Sequence, residues 1–334
     1  MRFGPVPLRE AEGAVLAHSQ RAGGRVLKKG AVLDAEAVAA LADAGLSEVV
    51  VARLEPGDVA EDAAAQALAR AAVPEPGAAG LTVTVPHTGR VNFKATGPGV
   101  LLVDSAKVRA INAVDPGLTL ATLAPFTRVT KGLLTGTVKV IPYAVPGAAL
   151  EAALEVAGGA MRVAPVVLAR AAVVLTEVPG QKPSVTEKGR AAVVGRLDAL
   201  GIAVTAVEVV PHAPGAVADA LQGTKADLAL ILTGSATSDA HDVAPEALRR
   251  AGGRVDRFGM PVDPGNLLFL GALGDMPVIG LPGCARSPAL NGADWVLERV
   301  ACGMIPGPDE FAAMGVGGLL KEIPIRPQPR ERRG

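Results

Sequence analysis

The spacing of hydrophobic and polar positions changes twice along the chain. Residues 34–44 predict a helix that stops before a glycine, and the apolar run 49–51 follows as a strand. Residues 58–72 combine strong helix formers with an acidic first turn, which favours a second helix. The Pro-Glu-Pro-Gly tract at 74–77 ends that helix. We therefore expect a small α/β unit over residues 1–75.

The middle of the chain changes to short runs of β-branched residues that Gly and Pro separate. Residues 81–85, 100–103 and 135–141 predict strands. A Pro-Gly pair at 146–147 closes this part, and an alanine-rich link follows it. We expect a β-rich or α+β domain over residues 76–150.

From residue 161 the pattern becomes strand, loop and helix in repetition, which is typical of a parallel sheet with crossover helices. The predicted strands are 166–175, 202–210, 227–233 and 278–281. The predicted helices are 184–200 with a capping box at 184–187, 217–221, 245–252, and one that Ser287 caps and that ends near Cys302. We expect a three-layer α/β domain over residues 160–305 and a C-terminal tail over 306–334.

Composition excludes several classes of function. The 33 basic and 33 acidic side chains give zero formal net charge, which argues against a protein that coats nucleic acid or anionic membrane. Two cysteines are too few for a disulfide framework, and the N-terminus does not resemble a signal peptide. No apolar run approaches the roughly 20 residues that span a bilayer. We expect a cytosolic protein.

Ligands of open parallel sheets bind outside the carboxyl ends of the strands, where three loops are predicted: 176–186, 233–242 and 282–287. Amides and hydroxyls of the second loop can cradle a phosphate. Its candidate ligand-binding residues are Thr233, Gly234, Ser235, Thr237, Ser238, Asp239 and Asp242. Asp239 and Asp242 are also candidate Mg²⁺ ligands. The simpler alternative is that these side chains only cap the following helix.

The third loop has the composition of a phosphate seat. Gly283 lets the backbone approach a ligand, Arg286 supplies a cation, and Ser287 places its amide at a helix N-terminus. Pro282 and Cys284 complete the candidate set. Cys284 is either a reactive thiol or a small packing residue.

Other charged side chains near these loops leave two interpretations open. Lys182, Lys188 and Arg190 surround the first loop, where they either neutralise a phosphate or form a solvated helix face. His241 in the second loop is either a proton donor or an unused surface residue.

Two of the loops resemble those of a known family. Residues 227–242 resemble the strand and the Gly-Gly-x-Ser-x-Gly-x-x-Asp loop of the molybdopterin-binding domain in molybdenum cofactor biosynthesis proteins. Residues 280–287 are similar to the Leu-Pro-Gly-Asn-Pro-x-Ser loop of molybdopterin molybdenumtransferases. Residues 24–30 and 44–51 are similar to a segment of a non-catalytic domain of those transferases, in a rearranged position. The resemblance is greatest to the molybdopterin-binding half of bacterial proteins in which a nucleotidyltransferase domain follows it.

The resemblance implies a molybdopterin-binding fold and molybdopterin as the ligand. It places Asp242 on the acidic position of the family loop and Thr237 on its serine. Asp242 and Glu177 are the catalytic residues that it implies, with Mg²⁺ at Asp242 and Asp239 and with molybdate as a substrate. Asp239 and Asp242 alternatively meet the donor face of the pterin.

The chain departs from the transferase pattern in three places. Residues 175–180 lack the acidic signature of the first loop, where Glu177 is the one acidic side chain. Asp239 replaces a glycine, and Cys284-Ala285 replace Asn-Pro. Pterin binding tolerates these changes more easily than molybdate insertion does.

Three functions follow as alternatives. The first is binding of molybdopterin or the molybdenum cofactor late in cofactor biosynthesis, with transferase-like metal insertion. The second is a non-catalytic carrier that hands the cofactor to a cytidylyltransferase or a molybdenum hydroxylase. The third is a nucleotide-processing hydrolase of the related pyridine-nucleotide salvage group. The resemblance also implies a homo-oligomer, and residues 81–145 carry no motif with a chemical interpretation.

Overall fold

The structure is a computed structural model that describes residues 1–320, and the chain forms two compact units. The first unit comprises Met1–Gly97 and Leu101–Ala164, and the second comprises Pro98–Val100 and the chain from Pro165 onward. No helix within residues 1–320 is long and apolar enough to cross a membrane. The tail expected over 306–334 lies outside the described residues from 321 on.

Short strands and four helices make up residues 1–165. The strands are β1 (Arg2–Pro7), β2 (Val15–Leu16), β3 (Gln20–Ala22), β4 (Arg25–Leu27), β5 (Glu48–Arg53), β6 (Asp58–Ala60), β7 (Leu81–Val83), β8 (Arg90–Ala95), β9 (Gly99–Val103), β10 (Leu118–Thr122), β11 (Arg128–Val129), β12 (Leu134–Val140), β13 (Ala144–Pro146) and β14 (Met161–Pro165). The helices are α1 (Ala35–Asp43), α2 (Glu61–Ala72), α3 (Ser105–Val114) and α4 (Gly147–Ala157).

The first unit contains two hydrophobic clusters, one within residues 8–51 and one within residues 64–163. Helix α1 begins where the Asp34 carboxylate accepts the Ala37 amide at 2.7 Å, and it ends before Gly45, whose φ is +85°. The predicted helix and following strand are confirmed here. The expected domain boundaries at 75 and 150 stay predictions.

Three expectations for the first unit need correction. The helix predicted over 58–72 begins at Glu61, because Asp58–Ala60 pairs with Ala144–Pro146 as a strand. The alanine-rich link is helix α4, which buries Leu150, Ala153 and Ala157. Helix α3 was not predicted, and the Asp104 carboxylate caps it.

The second unit is built on one six-stranded sheet in the order β16-β15-β17-β20-β19-β18. Strands β15, β16, β17 and β20 run parallel, whereas β19 is antiparallel to β20 and to β18. The elements are β15 (Arg170–Glu177), α5 (Pro183–Asp198), β16 (Ala203–Pro211), α6 (Pro214–Gln222), β17 (Leu228–Leu232), α7 (Val243–Arg250), β18 (Arg254–Phe258), β19 (Phe269–Leu273), β20 (Met276–Leu281), α8 (Gly292–Ala301) and α9 (Pro308–Ala313).

Alternate residues of the central strands are buried on opposite faces of this sheet. On one face Leu175 and Leu230 join a cluster with residues of α5, α8 and α9. On the other face Val174 and Ile231 join a cluster with residues of α6 and α7. The sheet therefore lies between two helical layers, and the predicted three-layer α/β fold is confirmed.

Two helix starts in the second unit differ from the prediction. The capping box at 184–187 is wrong, because α5 begins at Pro183 and no side chain caps it. The helix capped by Ser287 is also wrong. Residues Gly283–Arg286 form a 3-10 turn, and α8 begins only after Asn291, whose side chain accepts the Ala293 amide at 2.8 Å. Strands β18 and β19 and helix α9 were not predicted.

Strand register brings five connections to one edge of the sheet. Leu232 pairs with both Leu175 and Leu281, so β15, β17 and β20 end side by side. Phe269 pairs with Gly280, so the antiparallel β19 starts at this same edge. Strand β16 runs parallel to β15, with Pro211 opposite Glu177. The connections that follow β15, β16, β17 and β20, together with the β18–β19 connection, therefore leave the sheet at this edge, which we call the carboxyl edge.

Close packing between β19 and β20 gives a test of the fold. A Cβ on Gly280 would overlap the ring of Phe269, so Gly280→Ala should lower the free energy of unfolding by about 1–3 kcal/mol. Gly195 in α5 is the matched control, since a Cβ there meets no atom within 4 Å. Gly195→Ala should raise stability by about 0.5–1 kcal/mol. Urea unfolding measures both, and equal midpoints for the two variants would contradict this packing.

Candidate functional site

The loop after β17 is shaped by its own two aspartates. The Asp242 carboxylate accepts the Ser238 amide at 2.9 Å and the Val243 amide at 2.7 Å, which closes the loop and caps α7. Asp239 accepts the His241 amide at 2.8 Å. The helix-cap alternative holds for Asp242, whereas the Asp239 carboxylate stabilises the loop itself.

These aspartates do not form a metal site by themselves. Both oxygens of Asp242 and one oxygen of Asp239 already accept amide N–H groups. Within residues 1–320 there is no group of three or more His, Cys, Asp or Glu side chains that could hold a metal ion. Because Mg²⁺ favours an octahedral set of oxygen ligands, this donor set does not fit it, and we derive no step through a metal.

The hydroxyl groups of the same loop divide between the interior and the surface. Thr233 and Thr237 are buried with their Oγ1 atoms 3.4 Å apart, and the Thr233 hydroxyl donates to the Ser235 carbonyl at 2.5 Å. Ser235 and Ser238 are exposed. The two threonines therefore stabilise the loop, while the two serines face solvent at the carboxyl edge.

Arg286 is a half-buried cation at the carboxyl edge. Its guanidinium donates to the Thr233 carbonyl and, at 3.3 Å, to the Gly283 carbonyl. Burial lowers the pKa of the Arg286 guanidinium from its usual value, yet an arginine remains protonated in proteins. Of the ion pairs among the described residues, none involves Arg286. A partly desolvated positive charge without a carboxylate favours an anionic ligand.

The loop that Arg286 contacts has two backbone amides that are available to such a ligand. In the described part of the chain, no hydrogen bond uses the amides of Ser235 and Ala236, and both residues are exposed. The Arg286 guanidinium reaches this loop through the Thr233 carbonyl. We call the Arg286 guanidinium and the amides of Ser235 and Ala236 the anion seat.

The loop after β15 packs directly against the loop after β17. The Gly234 amide donates to Thr176 Oγ1 at 2.7 Å. A Cβ on Gly234 would lie 2.7 Å from both Gln181 Oε1 and the Thr176 carbonyl oxygen, so only glycine fits there. The Thr186 hydroxyl donates to Glu177 Oε1 at 2.6 Å, which fixes that carboxylate at the same edge.

The remaining predicted residues lie around this edge with different exposures. Lys182, Lys188, Arg190 and His241 are exposed, as the solvated-surface alternative expects. Arg190 has an ion pair with Glu187 at 3.9 Å, in which both side chains are more than half exposed. Pro282 is buried, and Gly283 and Cys284 are half-buried in the 3-10 turn. Ser287 follows the turn and is exposed. Ser287 therefore does not present a helix N-terminus.

Arg196 in α5 is the residue that sequence reasoning missed. It is 7% exposed, and it forms an ion pair with Asp294 at 2.6 Å. Its guanidinium also donates to four carbonyls, those of Ala192, Ala285, Ser287 and Ala289. The signal was present in the sequence, because Arg196 shares a helical face with the buried Ala192 and Val193.

A fourth connection also borders the site. Residues 259–268 join β18 to β19, and the Pro264 carbonyl accepts the Gly292 amide at 2.8 Å. A Cβ on Gly265 would lie 2.7 Å from the Gly292 nitrogen. This connection therefore packs on the start of α8. It was missed because neither β18 nor β19 was predicted.

Comparison with known proteins gives two family matches. Residues 167–300 match the family model described as a probable molybdopterin binding domain, and this span contains all six strands of the sheet. Residues 5–53 match a domain of unknown function, DUF8806. No curated protein matches the chain. The predicted domain of the molybdopterin-binding type is confirmed at this level, while its subtype and any fused partner stay predictions.

Three solved structures show distant likeness. The molybdopterin biosynthesis MoeA protein from Pyrococcus horikosii is 13% identical over 94% of this chain and 76% of its own, with a TM-score of 0.29. Molybdenum cofactor biosynthesis protein B is 16% identical over 41% of this chain and 95% of its own, with a TM-score of 0.30. A molybdopterin biosynthesis protein from Mycobacterium abscessus is 19% identical over 42% and 94%, with a TM-score of 0.26.

The buried ion pair gives a stability prediction. Arg196→Met leaves Asp294 buried without its cation and four carbonyls without their donor. We expect the free energy of unfolding to fall by about 3–5 kcal/mol. Arg190→Met, which removes an exposed cation from the same helix, should change it by less than about 1 kcal/mol. Urea unfolding compares the two, and an unchanged midpoint for Arg196→Met would show that the buried ion pair does not stabilise the fold.

The two cysteines should differ in reactivity. Burial raises the pKa of the Cys302 thiol to about 11, and Cys302 is 8% exposed. Since the thiolate is the nucleophile, about one Cys302 in a thousand is ionised at pH 8. Cys284 is half-buried. We expect iodoacetamide at pH 8 to alkylate Cys284 in the native protein and Cys302 only in urea, as peptide mass spectrometry would detect. Rapid native labelling of Cys302 would contradict its burial.

Proposed function

We propose that this chain binds molybdopterin, free or as part of the molybdenum cofactor, at the carboxyl edge of its six-stranded sheet, and that it acts late in molybdenum cofactor biosynthesis. The observation that carries the proposal is the anion seat. Arg286 is a half-buried cation without an acidic partner among the described residues, and it lies within the span that matches a probable molybdopterin binding domain.

The chemistry of the ligand matches the chemistry of the seat. Molybdopterin carries a phosphate, and an arginine guanidinium with neighbouring amides is a strong combination for phosphate. The protein as a whole has zero formal net charge, so attraction of an anion has to be local. Three residues contribute to this site through their backbone. The carbonyls of Thr233 and Gly283 accept hydrogen bonds from Arg286. Gly234 permits close packing of the two loops.

Binding without metal insertion is the form of this function that the site supports best. The carboxylates of Asp242 and Asp239 are engaged with loop amides, and Glu177 accepts a hydroxyl from Thr186. Catalytic roles for Asp242 and Glu177, with Mg²⁺ and molybdate, would require these contacts to be exchanged for new ones. We therefore propose a carrier that holds the cofactor for a partner such as a cytidylyltransferase or a molybdenum hydroxylase.

Titration with molybdopterin under anaerobic conditions, followed by pterin fluorescence, tests this proposal. We expect wild-type protein to bind with micromolar or tighter affinity. Arg286→Gln removes the cation but keeps an N–H donor, and it should weaken binding by about 10- to 100-fold because a charged hydrogen bond to phosphate is lost. Arg190→Met is the matched control, because it removes an exposed cation from α5 and should bind as wild type does.

Several outcomes would count against the proposal. No binding by the wild-type protein would refute it, and equal affinity in Arg286→Gln would move the phosphate away from the anion seat. Inorganic phosphate should compete with molybdopterin in the wild-type protein. Binding of nicotinamide mononucleotide in place of molybdopterin would instead select the nucleotide-processing alternative.

A further inference from the structure

A depression lies at the carboxyl edge, on the other side of β15 from the anion seat. It has a volume of about 520 Å³ and lies where β15 and β16 end. Pro179 and Val209 contribute to its mostly apolar lining, and Glu177 and His212 are its two polar side chains. None of these residues except Glu177 was a sequence candidate. We call this depression the ring pocket.

The hydroxyl of Thr176 determines how His212 meets the ring pocket. Thr176 Oγ1 accepts the Gly234 amide at 2.7 Å and lies 2.8 Å from His212 Nδ1. Among the described residues, Nδ1 is the one acceptor within reach of the Thr176 hydroxyl, so we direct the hydroxyl proton to Nδ1. We assign the tautomer with the proton on Nε2 from this network. No hydrogen bond among the described residues uses Nε2, so His212 offers the pocket one N–H donor.

Glu177 offers the pocket acceptors. The Thr186 hydroxyl donates to Glu177 Oε1 at 2.6 Å, and it accepts from the side-chain Nε2 of Gln181 at 3.0 Å. These two hydrogen bonds fix the direction of the Glu177 carboxylate. An ionised carboxylate has about four acceptor positions, so Oε2 and the second lone pair of Oε1 remain for a ligand. The pocket therefore presents a fixed carboxylate and a fixed N–H donor between apolar walls.

We propose that the ring pocket binds the 2-amino-4-oxopyrimidine edge of a fused heterocycle. The Glu177 carboxylate accepts the exocyclic amino N–H and the adjacent ring N–H, and His212 Nε2–H donates to the carbonyl oxygen. The valine and proline side chains pack on the ring. A pterin has this edge, and so does guanine. If the ligand is a pterin, this inference rests on the proposed function, because the pterin is the ring system of molybdopterin.

Strand spacing agrees with one ligand that reaches both places. The ring pocket lies at the end of β15, and Arg286 follows β20, which is two strands away. Neighbouring strands lie about 4.8 Å apart, so the two places are separated by about 10 Å. A pyranopterin with its phosphate arm has a length of this order. Thr176 joins the two places, because its hydroxyl contacts both His212 and the Gly234 amide, next to Ser235 of the anion seat.

Phosphate-free probes test the ring pocket separately from the anion seat. With the full chain we would measure binding of 6-hydroxymethylpterin, of 6-hydroxymethyllumazine, in which a carbonyl replaces the amino group, and of guanosine. The pterin should bind at least about 10-fold more tightly than the lumazine, because the lumazine leaves a Glu177 acceptor unpaired.

Two variants and one control assign the contacts. Glu177→Gln should weaken pterin binding by about 10- to 100-fold, since a charged acceptor is lost. His212→Asn retains a polar group for the Thr176 hydroxyl but has nothing in place of Nε2, so it should weaken binding by about 5- to 10-fold. Glu187→Gln removes the same charge from an exposed position on α5 and should leave binding unchanged.

The outcomes separate this inference from the proposed function. Tighter binding of the pterin than of guanosine assigns the pocket to a pterin, and the reverse order assigns it to a guanine nucleotide. Equal binding of pterin and lumazine, no binding of any probe, or unchanged affinities in both variants would overturn the ring pocket. If those variants also bind molybdopterin normally, the proposed function survives without the pocket. If the wild type binds the pterin but not molybdopterin, the pocket survives and the proposed function fails.

Discussion

The buried Arg196 guanidinium is the interaction on which the carboxyl edge depends. Removing an arginine from water is costly, and an ion pair alone rarely offsets that cost. Here the Arg196 guanidinium donates hydrogen bonds to Asp294 and to four carbonyls, three of which belong to residues 285–289. Asp294 also accepts the Asn291 amide at 2.8 Å, which fixes the start of α8. One side chain therefore joins α5, the 3-10 turn that carries Arg286, and α8.

Two arginines at the same edge thus have opposite roles. Arg196 has a carboxylate and carbonyls around its guanidinium, so it acts as part of the scaffold. Arg286 has carbonyl partners only, and its pKa falls because its burial is not compensated by an acidic side chain. In the proposed function, the charge of a bound phosphate would compensate the burial of the Arg286 guanidinium, so the cost of burying this cation would contribute to phosphate affinity. The hydrogen bonds from Arg196 to the carbonyls of Ala285 and Ser287 fix the segment that carries Arg286.

Local sequence signals predicted the parts of the fold that local interactions determine. The parallel strands β15, β16, β17 and β20 appear as apolar runs because both faces of the sheet are covered. Strand β18 escaped prediction because Arg254, Asp256 and Arg257 give it the composition of a loop, as an edge strand allows. Ser287-Pro288 has the signature of a helix start, yet the carbonyls of Ser287 and Ala289 are held by Arg196 from α5. Contacts between residues about 90 positions apart are not visible in a local pattern.

The same limit explains which parts of the candidate site were found. The rule that ligands bind at carboxyl ends selected the loops after β15, β17 and β20, and the structure brings all three together. Within them the aspartates were predicted to bind a ligand or a metal, but carboxylates next to loop amides readily accept hydrogen bonds from the loop itself. The ring pocket was not found because His212 follows β16 as a single polar residue between two prolines, without a motif. The orientation of His212 depends on Thr176, 36 positions earlier. The Thr176 hydroxyl connects His212 to the loop of the anion seat. A ligand held at both places would be recognised by two separate groups of side chains, so each group needs only moderate affinity for the whole molecule to bind tightly.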